Sequence, residues 1–187
     1  MRKPVNLCVT ALLAAALSAG FALGEEAPQK VKDLATGELA ALGADPTIVD
    51  AVLAANAAGT TLDQIKAKDE EWQKTPGIAD YMQALMDSPC AKYLLKLQGE
   101  RPYLAEVFVM DNQGANVAMT DKTSDYWQGD EAKWQKSFNE GAGSVHISEV
   151  KFDDSTQAYL VQVSVPVMAG GKAVGAVTFG IDVDQVQ

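Results

Sequence analysis

The chain has 187 residues, 25 acidic against 15 basic side chains, a net charge of −10 and 48% hydrophobic content. That balance disfavours nucleic acid or anionic membrane as a partner, since both reward Lys and Arg, and the length suffices for one domain with its own core. A single histidine, His146, excludes a multi-histidine metal centre.

Residues 1–24 read as a secretory signal peptide. Arg2 and Lys3 give a positive start, and Leu7–Leu17 is an apolar run short for a membrane span. Ala22-Leu23-Gly24 then places small residues before Glu25. A retained signal anchor is the alternative, disfavoured by that small-residue ending. Without a cysteine at the cleavage point, a lipoprotein anchor is not expected. Cleavage leaves 163 of the 187 residues and moves the charge from −10 to −12, because two of the 15 basic side chains depart. Cys8 departs as well, so Cys90 has no partner for an internal disulfide. Its place after Ser88-Pro89 is that of a helix start, where a thiol pKa can fall; packing as a small apolar residue is the preferred reading.

Residues 25–100 read as helical with several breaks. Val31, Leu34, Leu39 and Leu42 mark a first helix, weak at Gly37 and stopped at Gly43. Asp45-Pro46 supplies an N-cap and a first helical residue for a second, carrying Ile48, Val49, Val52 and Leu53. Thr60 or Thr61 caps a third with Leu62, Ile65 and Trp72. After Pro76-Gly77, the residues Ile78, Tyr81, Met82, Leu85 and Met86 follow helical spacing, which marks core packing ahead of a cofactor groove. Ser88-Pro89 starts a last helix carrying Leu94, Leu95 and Leu97.

From Tyr103 the period becomes extended. Val107–Met110 and Val117–Thr120 form a hairpin around Asp111-Asn112-Gln113-Gly114, which are turn residues. An aromatic, acidic connection follows, with Tyr126, Trp127, Gln128, Asp130 and Trp134 inside nine positions and a short helix over 130–138. Amphipathic rings of this kind line ligand pockets or plug a core edge. A third strand is expected at Val145–Val150, a fourth at Ala158–Met168 and a fifth at Ala173–Val183. Parity sorts the last two: Val161, Val163, Val165, Val177, Phe179 and Ile181 share an apolar face, while Gln162, Ser164, Thr178 and Asp182 share a polar one. The apolar face would receive the N-terminal helices. The connection 121–139 is the segment expected to cover the polar face, leaving a shallow pocket for one small polar molecule; exposure of that face to solvent is the alternative.

The run AEVFVMDNQGANVAMT (105–120) and the closing YLVQVSVPVMAGGKAVGAVTFGIDV (159–183) resemble the hairpins of extracytoplasmic PAS-like sensor domains of the Cache (PDC) superfamily. Trp127–Glu131 resembles a segment of one subgroup. The resemblance covers roughly residues 100–185. It implies an α+β fold with N-terminal helices packed on a five-stranded antiparallel PAS/Cache-like sheet, of single-Cache type, with the sensor domain over 101–187. It also implies a small extracytoplasmic ligand over the sheet and a role in signal transduction. Residues 102–132 hold no arginine of the kind amino-acid-binding members use for a carboxylate. With neither a following transmembrane helix nor an output domain in the sequence, a free-standing periplasmic protein acting through a membrane sensor protein is expected, not inserted in the membrane after signal cleavage.

The candidate ligand-binding residues are therefore Tyr126, Trp127, Gln128, Asp130, Trp134, Gln162 and Asp182, with no catalytic or metal residue and no cofactor. A carboxylate such as Asp182 or Asp130 in a partly buried pocket asks for a counter-charge or donors, so amines or neutral polar ligands are favoured. Asp182 accepting backbone bonds at the strand end is the alternative. Enzymatic chemistry lacks a convergent constellation: Asp153-Asp154 reads as a turn, and His146 and Glu149, three apart in a strand, would face opposite ways. A structural or interaction module with a self-filled pocket remains the competing reading, with a single-histidine haem or metal binder behind it.

Overall fold

Six helices precede the sheet in the computed structural model, which describes residues 24–154 and 156–186. All of the expected leader except Gly24 lies outside the described residues. Helices α1 (Gln29–Thr36) and α2 (Glu38–Leu42) are one stretch interrupted at Gly37. Helix α3 (Pro46–Ala57) begins where the Asp45 carboxylate accepts the Thr47 amide at 2.8 Å. Helix α4 (Leu62–Lys74) carries a complete capping box between Thr61 and Gln64. After the break at Pro76-Gly77 come α5 (Asp80–Met86) and α6 (Pro89–Gly99), the latter capped by the Ser88 hydroxyl.

Strands β1 (Leu104–Met110) and β2 (Asn116–Met119) enclose the expected turn. Buried Asp111 accepts the amides of Gln113 and Ala115 at 2.8 and 2.9 Å, and Gly114 takes a φ of +86° that a Cβ would oppose. The connection holds α7 (Ala132–Phe138), followed by β3 (His146–Ile147), β4 (Lys151–Asp153), β5 (Ala158–Ala169) and β6 (Lys172–Asp182). The strands pair antiparallel in the order β2-β1-β6-β5-β3, with β4 also on β5. The α+β class with helices ahead of an antiparallel sheet is therefore present.

The expected strand at Val145–Val150 is cut short to His146–Ile147, and a separate short strand follows at Lys151–Asp153. The Ser148 amide donates to the Gln162 carbonyl, but the Gln162 amide donates to the Ser148 hydroxyl, both at 2.9 Å. The Val150 amide leaves the sheet altogether for the Glu25 carbonyl at 2.8 Å. A side-chain oxygen standing in for a carbonyl ends the ladder, and pairing resumes at Lys151. This corrects the strand-parity argument for His146 and Glu149. With the strand ended at Ile147, both line the same hollow.

The sheet separates two cores. On one face Val161 opposes Ile181, Val163 opposes Phe179 and Val165 opposes Val177. All are sealed beneath α1, α2, α3 and α6 through Val31, Leu39, Ile48, Val52, Leu94 and Leu97. The approach is close at Gly43, whose missing Cβ makes room for the Pro166 carbonyl. On the other face Phe108, Met110, Met119 and Ala176 meet Trp72 of α4 and Met82 and Met86 of α5. The expectation that the helices serve one face and the 121–139 connection alone covers the other is thus corrected. Phe108 and Met110 make the β1 end of that face apolar, and α4 and α5 bury it.

Candidate functional site

The second face changes character along its length. Around Phe108, Met110, Met119 and Ala176 it is plugged by methionines and rings; beyond them it carries Glu106 of β1, Thr178 of β6, and Gln162 and Ser164 of β5. Ser164 and Thr178 are opposed in register and fully buried, and their hydroxyls bond each other at 2.8 Å, which satisfies both. Glu106 lies opposite Gly180, which leaves room for its side chain. Over this stretch opens a cleft of about 590 Å³, walled by Trp72, Phe108 and Phe152, with Glu106, Gln128, Gln162, Lys122, Lys133 and Asp154 supplying polar groups.

The roof is the connection after β2, and α4 holds it. Trp72 Nε1 donates to the Thr123 carbonyl at 2.8 Å, and Asp69 Oδ1 accepts the amides of Tyr126 and Trp127 at 2.8 and 3.0 Å. Gln73 Nε2 reaches Asp125 Oδ1 at 2.8 Å. Lys122, at the start of the roof, donates to the carbonyls of Thr75 and Gly77 at 3.0 and 2.7 Å, capping the end of α4. Lys133 pairs with Glu131 at 3.0 Å and sits 5.2 Å from the Phe108 ring centre. Both cations at the cleft are therefore already engaged.

The acceptors are not. Among the described residues Glu106 receives a single side-chain bond, from Gln162 Nε2 at 3.1 Å. Burial raises its pKa above the usual carboxylate value, opposed by the Gln162 bond and the Lys133 charge. Gln128 is 1% exposed; its Nε2 donates to the Asp125 carbonyl at 2.8 Å, which fixes the amide orientation, and its Oε1 is buried without a hydrogen-bond partner. A buried acceptor in that condition costs about 1–3 kcal/mol until a donor reaches it.

Of the seven residues expected at the site, Gln128 and Gln162 line the cleft. Tyr126 packs on Trp72 with ring centres 5.7 Å apart, as part of the second core. Trp127 turns outward, its Nε1 on the Gln113 carbonyl at 2.8 Å and its ring beneath Lys66. Trp134 donates to the Asp111 carbonyl at 3.0 Å and stacks on Phe138. Asp130 is exposed and does not line the cleft. Asp182 accepts the Asp184 amide at 2.9 Å, closing the end of β6. The cleft residues that sequence reasoning passed over are Trp72, Glu106, Phe108, Lys122 and Lys133. An acid near the start of the apolar run AEVFVM, in phase with Phe108, was the legible signal among them.

An antiparallel sheet with four helices on one face, and with α4, α5 and a roofed polar cleft sharing the other, defines a PAS-like sensor fold. Residues 81–187 match the family described as methyl-accepting chemotaxis protein-like, first PDC sensor domain, and the chain belongs to that family. The match takes in most of α5 and all of α6 along with the sheet. No curated protein sequence matches the chain. Among solved structures it is similar to the sensor domain of the V. cholerae histidine kinase DctB, with 12% identity over 84% of this chain and 55% of that one and a TM-score of 0.38. The Campylobacter jejuni chemoreceptor Tlp3 sensory domain with isoleucine bound gives 13% identity, 85% and 63% coverage and a TM-score of 0.41. The ligand-binding domain of the Pseudomonas aeruginosa amino acid chemoreceptor PctC with GABA gives 12%, 83% and 63%, and 0.39. The chain spans between 55% and 63% of the length of these three structures. Among the described residues no helix is long and apolar enough to cross a membrane.

Proposed function

We propose that this sensor domain is an exported, non-enzymatic protein that binds a small hydrogen-bond-donating molecule in the cleft and presents the bound state to a membrane signalling partner. The observation that carries the ligand class is the mismatch of partners at the cleft. Lys122 and Lys133 are committed to carbonyls and to Glu131, whereas Glu106 is held by one amide and Gln128 Oε1 by nothing. An ammonium group supplies both a counter-charge for Glu106 and N–H donors for Gln128; a polyol supplies donors alone. The rings of Trp72, Phe108 and Phe152 favour a ligand with an apolar body or a cationic head.

Calorimetry with matched amines, polyols and dicarboxylates tests this reading. Amines should bind wild type and Asp182→Asn alike and lose affinity in Glu106→Gln, with the melting temperature of that variant retained. Gln128→Leu, which removes the orphaned acceptor, should weaken amines and polyols together. Tight dicarboxylate binding indifferent to Glu106→Gln would overturn the assignment.

A further inference from the structure

Beside the cleft, on the far side of Lys133 and Gln162, lies a second hollow of about 450 Å³ between α7 and the β3–β4 edge. Lys133 and Lys136 reach it from one face of α7, Lys151 from β4 and His146 from β3, with Ser148 and Gln162 beneath. In this acidic chain most cations are spoken for. Lys32, Lys74, Lys96, Arg101 and Lys133 pair with carboxylates, Lys66 and Lys68 sit over rings, and Lys122 caps carbonyls. Among the described residues Lys30, Lys92, Lys136, Lys151 and Lys172 have no such partner. Lys136 and Lys151 are the two of these that line one hollow, together with the half-buried imidazole of His146, which makes no side-chain hydrogen bond. Among the described residues neither carboxylate at the rim makes an ion pair with Lys136 or Lys151. Glu131 is taken by Lys133, and Glu149 is exposed at the edge.

We propose that this hollow is a second ligand site, taking a small oxyanion of two negative charges held by Lys136, Lys151 and the protonated His146, with the Ser148 hydroxyl as a further donor. Lys136 and Lys151 lining one hollow repel each other and disfavour a proton on His146; Glu149 offsets part of that charge, and a dianion relieves the rest. Burial first, and then the Lys136 charge, lower the pKa of His146 below the usual histidine value. The groups facing it are Lys133, Lys136 and Glu131 from α7 and its start, Glu149 and Lys151 beyond β3, and Ser164 across the ladder. An anion reverses the balance of that field, so binding and His146 protonation must favour each other reciprocally. The site fills in mildly acidic conditions and empties as pH rises.

Sulfate is the suitable probe, because its charge stays constant while the protein titrates. The imidazole resonances of His146, the sole histidine, report both events in one NMR experiment on the intact protein. Sulfate, against chloride at matched ionic strength, should raise the His146 pKa and bind at least about fivefold more tightly at pH 5.5 than at pH 8. Lys136→Glu with Lys151→Glu should abolish both effects while leaving the melting temperature and amine binding in the cleft in place. Should that pair unfold the protein, Lys136→Ala alone should still weaken sulfate and raise the His146 pKa. A His146 titration curve indifferent to sulfate, or sulfate affinity unchanged in the lysine variants, overturns the proposal.

Discussion

Trp72 is the side chain on which roof and second core both depend, and removing it gives the sharpest test of how they are joined. It is fully buried, lies 5.7 and 6.0 Å from the rings of Tyr126 and Tyr81, and donates to the Thr123 carbonyl. Trp72→Ala should cost about 3–5 kcal/mol, the range for truncating a buried aromatic ring. For a domain of this size that is a fall of about 6–20 °C in melting temperature. Trp72→Phe keeps most of the packing and loses the indole bond, for about 1–2 kcal/mol. Urea and thermal denaturation measure both. Hydrogen exchange should then localise the damage: in Trp72→Phe the amides of residues 120–128 should exchange faster while those of β5 and β6 stay protected. A loss below about 1 kcal/mol for Trp72→Ala would refute the reasoning, since α4 would then be an appendage of the sheet. Equal loosening of roof and central strands would refute the claim that Trp72 anchors the roof in particular.

Glu106→Gln should stabilise the ligand-free protein near neutral pH. Its folded pKa is raised by burial, so its stabilising effect is present below the unfolded value near 4.5 and is lost as pH climbs through the raised one; urea melts at pH 4 and pH 7 should show the variant's advantage at pH 7 only. Thr178→Val leaves the Ser164 hydroxyl buried and unpaired and should cost about 1–3 kcal/mol, whereas adding Ser164→Ala should recover much of that loss. The Cys90 thiol, pushed up to about 11 by burial and then by Asp45, should react with thiol reagents in native protein only as fast as the fold opens. Gly43→Ala should lower the melting temperature because the added methyl meets the Pro166 carbonyl, a backbone atom that cannot swing away.

Local grammar made the elements readable. Asp45-Pro46, Thr61 with Gln64 and Ser88-Pro89 start helices because each cap satisfies its own turn, and Asp111–Gly114 turns the chain with bonds made within the hairpin. Parity in β5 and β6 separated the faces because period-2 alternation survives in any context. What escaped depends on distant partners. Nothing in residues 145–150 announces that the Ser148 hydroxyl takes the Gln162 amide or that Glu25 takes the Val150 amide. The rings of the connection looked like pocket walls because amphipathic aromatics serve pockets and cores alike; Asp69 and Trp72, more than fifty positions upstream, decide that Tyr126 packs inward. Gln128 was found for its place in the connection, but its orphaned oxygen appears only in three dimensions.

Strand β1 belongs to both cores at once. Val107 and Val109 press on the helices of one face while Phe108 and Glu106 form part of the floor of the cleft on the other. Neighbours along one extended backbone, flanked by β2 and β6, have almost no freedom to move independently. A ligand that pulls Glu106 upward therefore tugs on the seats of Val107 and Val109, and with them on α6, which packs directly against β1. On the proposed function, the strand would act as a stiff diaphragm between two compartments, passing occupancy of the cleft on as pressure against α6.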